Sequence, residues 1–115
     1  MPLQEIEREI LLGFWKVHIL HHAEAHPVHG QWISKELLRH GYEISPGTLY
    51  PLLGRMVRRG WLVCKFDRRD GKRARKDYRL TGKGKEVLHL IRDQVGELYR
   101  EVVLEAGQDK GEKPL

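Results

Sequence analysis

A single cysteine, Cys64, stands in a chain of 115 residues. No intrachain disulfide is available, which suits a reducing compartment. No window approaches the roughly 18 unbroken apolar residues of a membrane span, and the longest apolar stretch, Ile10 to Trp15, lies among charged neighbours. Met1 to Arg8 is acidic and polar and does not read as a secretory signal. Together these absences predict a cytoplasmic chain with no membrane partner. Internal repeats, low-complexity tracts and evident linkers are also missing, so the length fits one compact domain. There is no Gly-rich phosphate loop, no nucleophile elbow and no Ser/His/Asp set in a recognisable context. The sequence therefore predicts a non-enzyme, with no catalytic residue, no bound metal and no cofactor.

What the chain has in abundance is positive charge in one place. Thirteen Lys and Arg fall between Arg55 and Lys85, against Asp67, Asp70 and Asp77 alone, so that this segment carries +10 within a chain of net +5. The remainder is then −5. A basic block between acidic flanks is the footprint of a polyanion-binding surface, although a solvated face with no ligand would read the same way on charge alone.

Periodicity places the elements. Ile6, Ile10, Val17 and Leu20 mark a stripe on a first helix from about Leu3 to about Glu24. Leu11, Phe14, Trp15 and Ile19 broaden it over most of the girth, which predicts burial on more than one side. Pro27 ends that helix within His26-Pro27-Val28-His29-Gly30, a break in the pattern. A second helix spans roughly His29 to Arg39 and is closed by Gly41. A third starts near Ser45-Pro46-Gly47-Thr48 and ends at Gly60, with Leu49, Leu52, Leu53, Met56 and Val57 at i, i+3, i+4, i+7 and i+8. Either Ser45 or Gly47 can cap it; Pro51, best tolerated in a first turn, favours the later start. Trp61 to Arg68 and Arg75 to Leu80 read as two strands around an Asp70-Gly71 turn, and Thr81 caps a last helix, roughly Gly82 to Ala106. This order gives a mainly α fold with a small β-hairpin: a winged helix-turn-helix with a C-terminal dimerisation helix. Residues 1–81 form the expected DNA-binding domain, 82–106 the dimerisation helix and 107–115 a frayed tail.

With its leucines against the core, the third helix turns Gly47, Pro51, Gly54, Arg55 and Arg58 outward, and Thr48 and Tyr50 lie on the flanks. Small residues allow close approach to another backbone, and a helix N-terminus favours phosphate. Hydroxyls and guanidinium groups then supply contacts to phosphates and base edges. Ser45, Thr48, Tyr50, Arg55 and Arg58 are the expected DNA-binding residues of this helix, and Arg69, Lys72, Arg73, Arg75 and Lys76 those of the hairpin. In the last helix, Leu88, Ile91, Val95, Leu98 and Val102 step by 3, 4, 3 and 4, an a/d seam. That seam, with Ile6, Ile10 and Phe14, is the expected dimer contact, and a two-fold dimer places two recognition helices about 34 Å apart.

Ser45-Pro46-Gly47-Thr48-Leu49-Tyr50-Pro51-Leu52-Leu53, continuing through Arg55-Met56 to Gly60-Trp61-Leu62, resembles the signature of PadR-type regulators. His29-Gly30 and Arg75-Lys76-Asp77-Tyr78-Arg79-Leu80-Thr81 resemble that family's turn and second wing strand. The likeness spans about Glu9 to Val102. Gln31-Trp32 replaces a usual aromatic-Glu pair, and Asp77 stands where an aromatic is usual. The resemblance implies a dimeric repressor on a palindromic operator, released from DNA by a small aromatic or cationic effector. Trp15 and Trp32 are the candidate effector-lining residues, with core or interface anchoring as the plainer reading.

Seven histidines are present. His18 and His22 are i, i+4 on one helix with His21, His26 and His29 nearby, yet a tight metal site wants a third ligand and a supporting shell. A metal-responsive regulator using these histidines is one alternative. A winged-helix protein-interaction module without operator binding is the other, and the basic wing argues against it. Cys64 alternates with Leu62 and Phe66 and reads as an inward, inert thiol.

Overall fold

The computed structural model describes residues 3–66, 69 and 75–106, with backbone alone for 3–6. Helix α1 (Leu3–Ala25) is followed by a two-residue strand β1 (Val28–His29) and helix α2 (Gly30–Arg39). His29 caps α2 by accepting the Trp32 N–H on its Nδ1 at 3.3 Å. The helix closes in a Schellman motif, in which Gly41 takes φ of 88°. There the Tyr42 N–H donates to the Leu37 carbonyl at 3.0 Å and the Gly41 N–H to Leu38 at 2.9 Å. Helix α3 (Pro46–Arg58) ends in the same motif at Gly60, φ 81°. Strands β2 (Leu62–Lys65) and β3 (Asp77–Leu80) pair antiparallel, Leu62 opposite Leu80 and Lys65 opposite Asp77. Helix α4 (Gly82–Tyr99) leads into a π-turn at Arg100–Leu104.

The core sits where α1, α2 and α3 meet the sheet. Trp15, Ile19 and Leu20 of α1 pack with Ile33 and Leu37 of α2, Leu49, Leu52, Leu53 and Met56 of α3, and Val28, Leu62, Tyr78 and Leu88. The i, i+3, i+4, i+7 stripe of α3 is buried as a set. One corner is tightly built. The Thr81 hydroxyl donates to the Gly60 carbonyl and accepts the Gly84 N–H at 2.9 Å, while the Thr81 N–H donates to the Trp61 carbonyl at 3.1 Å. This knot joins the end of α3, the start of β2 and the start of α4.

The architecture differs from the sequence reading in several places. The sheet has three strands in the order β1-β3-β2, with Val28 opposite Tyr78; the segment read as a simple break donates an edge strand. Helix α3 begins at Pro46, with Ser45 as N-cap rather than Gly47, and Pro51 lies inside it. Pro46 sits where a proline's fixed φ suits the first turn. Pro51 removes one hydrogen bond, to the Gly47 carbonyl, and both residues face solvent, where water can replace the lost partner. The strands are shorter than read. Phe66 is exposed rather than inward, with the Lys76 ammonium 5.9 Å from its ring centre. Cys64 is half-buried opposite Tyr78, whose phenol is pushed up to about 12 by burial and then by Cys64. The last helix changes from α to π at Arg100, closed by the Glu105 N–H on the Arg100 carbonyl at 2.9 Å. The expected Asp70-Gly71 turn, the tail at 107–115, the side chain of Ile6, and Lys72 and Arg73 lie outside the described residues.

Candidate nucleic-acid interface

Helix α3 divides cleanly. Leu49, Leu52, Leu53 and Met56 have no measurable exposure, while Gly47, Tyr50, Pro51, Arg55 and Arg58 face solvent. At its N-terminus the side chains of three positions converge. The Thr48 hydroxyl accepts from an Arg8 guanidinium N–H at 3.0 Å and from the Ser45 hydroxyl at 3.2 Å. Arg8 belongs to α1, forty positions earlier, and nothing in the acidic local sequence pointed to it; only the tertiary packing brings this cation to the positive end of α3. Ser45 makes no side-chain cap bond. Its hydroxyl is turned to Thr48 instead.

Tyr50 lies against the start of α2. A methyl group added at Gly30 would overlap its hydroxyl and ring edge, so Gly30 makes room for the phenol beside the turn. The ring remains 44% exposed.

The hairpin continues the basic surface. Lys65, Arg69, Arg75, Lys76 and Arg79 are exposed; Lys65 and Arg79 belong to it although the sequence reading singled out neither. The alternation of β2 and β3 puts them on the face opposite Leu62 and Tyr78. Asp77 holds the Arg75 guanidinium at 3.3 Å, which ties that arginine to the strand and offsets one charge of the wing. At the base of the hairpin, Arg59 lies over the Trp61 ring, 5.8 Å from its centre.

The expected dimer residues divide. Leu88 is 1% exposed within the single chain, a correction: it closes the chain's own core beneath α1, because α4 starts against the domain and its first turns are covered there. Ile91 is half-buried against the same core. Farther on, Val95, Leu98 and Val102 are about half exposed or more, as are Ile10 and Phe14 of α1. From Arg92 to Ala106 every residue except Gly96 is exposed, so α4 leaves the body of the domain. Arg92 anchors its departure, donating to Glu24 at 2.9 Å.

The two tryptophans do not share a site. Trp15 is a core side chain, edge-on to Tyr42 at 6.4 Å between ring centres, and its Nε1 has no hydrogen-bond partner among the described residues. Trp32 packs edge-on against the rings of His22 and His26 and lines a cavity of about 10 Å³, room for one water at most. A planar effector does not fit there. Among the described residues, no helix is long and apolar enough to cross a membrane.

Comparison with known proteins agrees with this geometry. Over 96 residues the chain is 48% identical to the transcriptional regulator Rv3488 of Mycobacterium tuberculosis (strain ATCC 25618 / H37Rv), covering 84% of this chain and 89% of that protein. Its fold is similar to a PadR-like transcription factor from Bacteroides fragilis, with a TM-score of 0.73 at 26% identity over 85% of this chain and 95% of the other. It is also similar to a PadR family regulator from Eggerthella lenta DSM 2243, with a TM-score of 0.68 at 30% identity over 86% and 90%. Residues 19–90, spanning the helix-turn-helix, the hairpin and the start of α4, match the transcriptional regulator PadR-like family, and the chain belongs to that family of regulators, which are not enzymes.

Proposed function

We propose that this PadR-family regulator binds double-stranded DNA as a cytoplasmic homodimer and represses transcription by occupying a palindromic operator. The observation that carries the reading is the division of α3. One helix seats four apolar side chains in the core and turns Tyr50, Arg55 and Arg58 outward, with Thr48 half-buried at its start, beside a strongly basic hairpin. A rigidly seated helix with such a face is suited to the major groove. Ser45, Thr48 and Arg8 meet the backbone at its N-terminus; Tyr50, Arg55 and Arg58 approach base edges; Arg69, Lys72, Arg73, Arg75 and Lys76 lie along the flanking phosphates. In this reading residues 1–81 contact DNA, and 82–106 join two copies through Val95, Leu98 and Val102 with Ile10 and Phe14. The half-exposed apolar run of α4 supports the second copy, since water-exposed apolar surface of this kind favours association. Release by a small aromatic or cationic effector belongs to the same proposal, with its site formed on assembly rather than in the cavity beside Trp32.

Replacing Arg55 and Arg58 together by alanine tests the reading. Operator affinity should fall by about 100-fold or more, and the slope of log affinity against log salt should become shallower by up to about two. Titration of a labelled duplex by fluorescence anisotropy across a salt series measures both. Unchanged affinity and slope would remove α3 from the interface.

A further inference from the structure

The sequence offered His18 and His22 one turn apart without a third ligand. The fold supplies it from another helix. His40, the C-cap of α2, brings a ring nitrogen to this pair, and the ligand atoms of His18, His22 and His40 all lie within 4.8 Å of one another. Glu36, one turn before His40, stands beside two of the three: its Oε2 is 3.5 Å from the Nε2 of His22 and 3.5 Å from the Nε2 of His40. We propose that His18, His22, His40 and Glu36 form a binding site for one zinc-class divalent cation, clamping α1 to α2.

The spacing fits the chemistry. A tetrahedral zinc ion with ligand bonds of about 2.1 Å sets its donors about 3.4 Å apart, and the Glu36 oxygen stands at about that spacing from the imidazoles of His22 and His40. His18, whose ring centre is 6.2 Å from that of His22 and 5.1 Å from that of His40, supplies the fourth donor. Imidazole with one carboxylate is a donor set for zinc, nickel or copper rather than magnesium or calcium. Both α1 histidines are held below the usual histidine range, His18 by burial and then His40, His22 by burial and then His21. Neutral imidazole is the form that ligates. Glu36 is largely buried and its other oxygen accepts from Arg39 at 3.3 Å, which fixes the carboxylate as a supporting shell would. The remaining nearby histidines are engaged elsewhere: His21 with Arg92, His26 with the Pro27 carbonyl, and His29 as the α2 cap.

The test uses the full chain, stripped with a chelator and titrated with zinc sulfate by calorimetry, beside His18→Ala, His40→Ala, Glu36→Gln and His89→Ala. Expected is one zinc per chain, with affinity lowered at least about 30-fold in each histidine-site variant and about tenfold in Glu36→Gln. His89→Ala, whose histidine lies outside the cluster, should bind as the parent does. His40 is at an exposed helix end, so its variant keeps the fold, and circular dichroism checks that. Zinc should also move the ring proton resonances of His18, His22 and His40 and leave that of His89 in place. Absence of binding, binding that His18→Ala and His40→Ala leave unchanged, or a loss confined to one of the two would overturn the proposal.

Discussion

Leu98→Glu should convert the proposed dimer to a monomer without unfolding the chain. Leu98 is 55% exposed in the single chain, and Leu and Glu are both good helix formers, so the substitution leaves the folded chain intact. In a two-fold dimer each substitution occurs twice, and each places a carboxylate in an apolar contact where its desolvation is uncompensated. The dimer dissociation constant should rise at least about 100-fold, which corresponds to about 2.7 kcal/mol. On the proposed two-fold operator two recognition helices would bind at once, so losing the dimer also removes their effective concentration for one another. Operator affinity should fall by a comparable factor while weak binding to random duplex remains. Sedimentation equilibrium and an operator titration measure the two effects. A variant that still sediments as a dimer would move the interface off α4.

Gly84→Ala should cost the chain about 3 kcal/mol. A methyl group built at Gly84 overlaps the Trp61 carbonyl oxygen and meets a Leu80 methyl at 2.6 Å. The first neighbour is backbone in the knot held by Thr81 and cannot swing aside as a side chain would. Alanine favours helix over glycine by about 1 kcal/mol, yet here the overlap forces α4 to shift and loosens Leu88 from the core, at the upper end of overpacking costs. For a domain of this size the melting temperature should drop by about 10–20 °C, as calorimetry would show. An unchanged melting temperature would mean that α4 is not held against Trp61 as described. Gly30→Ala is a contrast: its overlap is with the far end of the Tyr50 ring, which can rotate away.

The sequence made the helices legible because each carries its own punctuation. Gly41, Gly60 and Thr81 end or begin elements by local backbone chemistry, and the leucine spacing of α3 says which side is buried. What escaped were features whose cause lies far along the chain. Val28-His29 is too short to show a strand period and becomes a strand by pairing with Tyr78 and Asp77. Arg8 reaches Thr48, and His40 and Glu36 reach His22, across helices whose relative placement no local pattern encodes. Leu88 fits an a/d seam by spacing, but periodicity marks a side chain as covered without saying what covers it; the chain's own core does so up to Ile91, and from Val95 onward the described residues leave the seam about half exposed. Trp15 likewise reads as a ligand wall or a core anchor by residue type, and packing decides for the core.

The most direct measurement is selection of bound duplexes from a random DNA library by the full chain, followed by titration of the enriched duplexes across a salt series with the bound stoichiometry determined. Expected is a palindromic motif with half-sites about one helical turn apart, bound by two chains with affinity falling steeply in salt. A library that returns no enriched motif, or a duplex bound by one chain with a flat salt response, would contradict the reading of this protein as a dimeric operator-binding regulator.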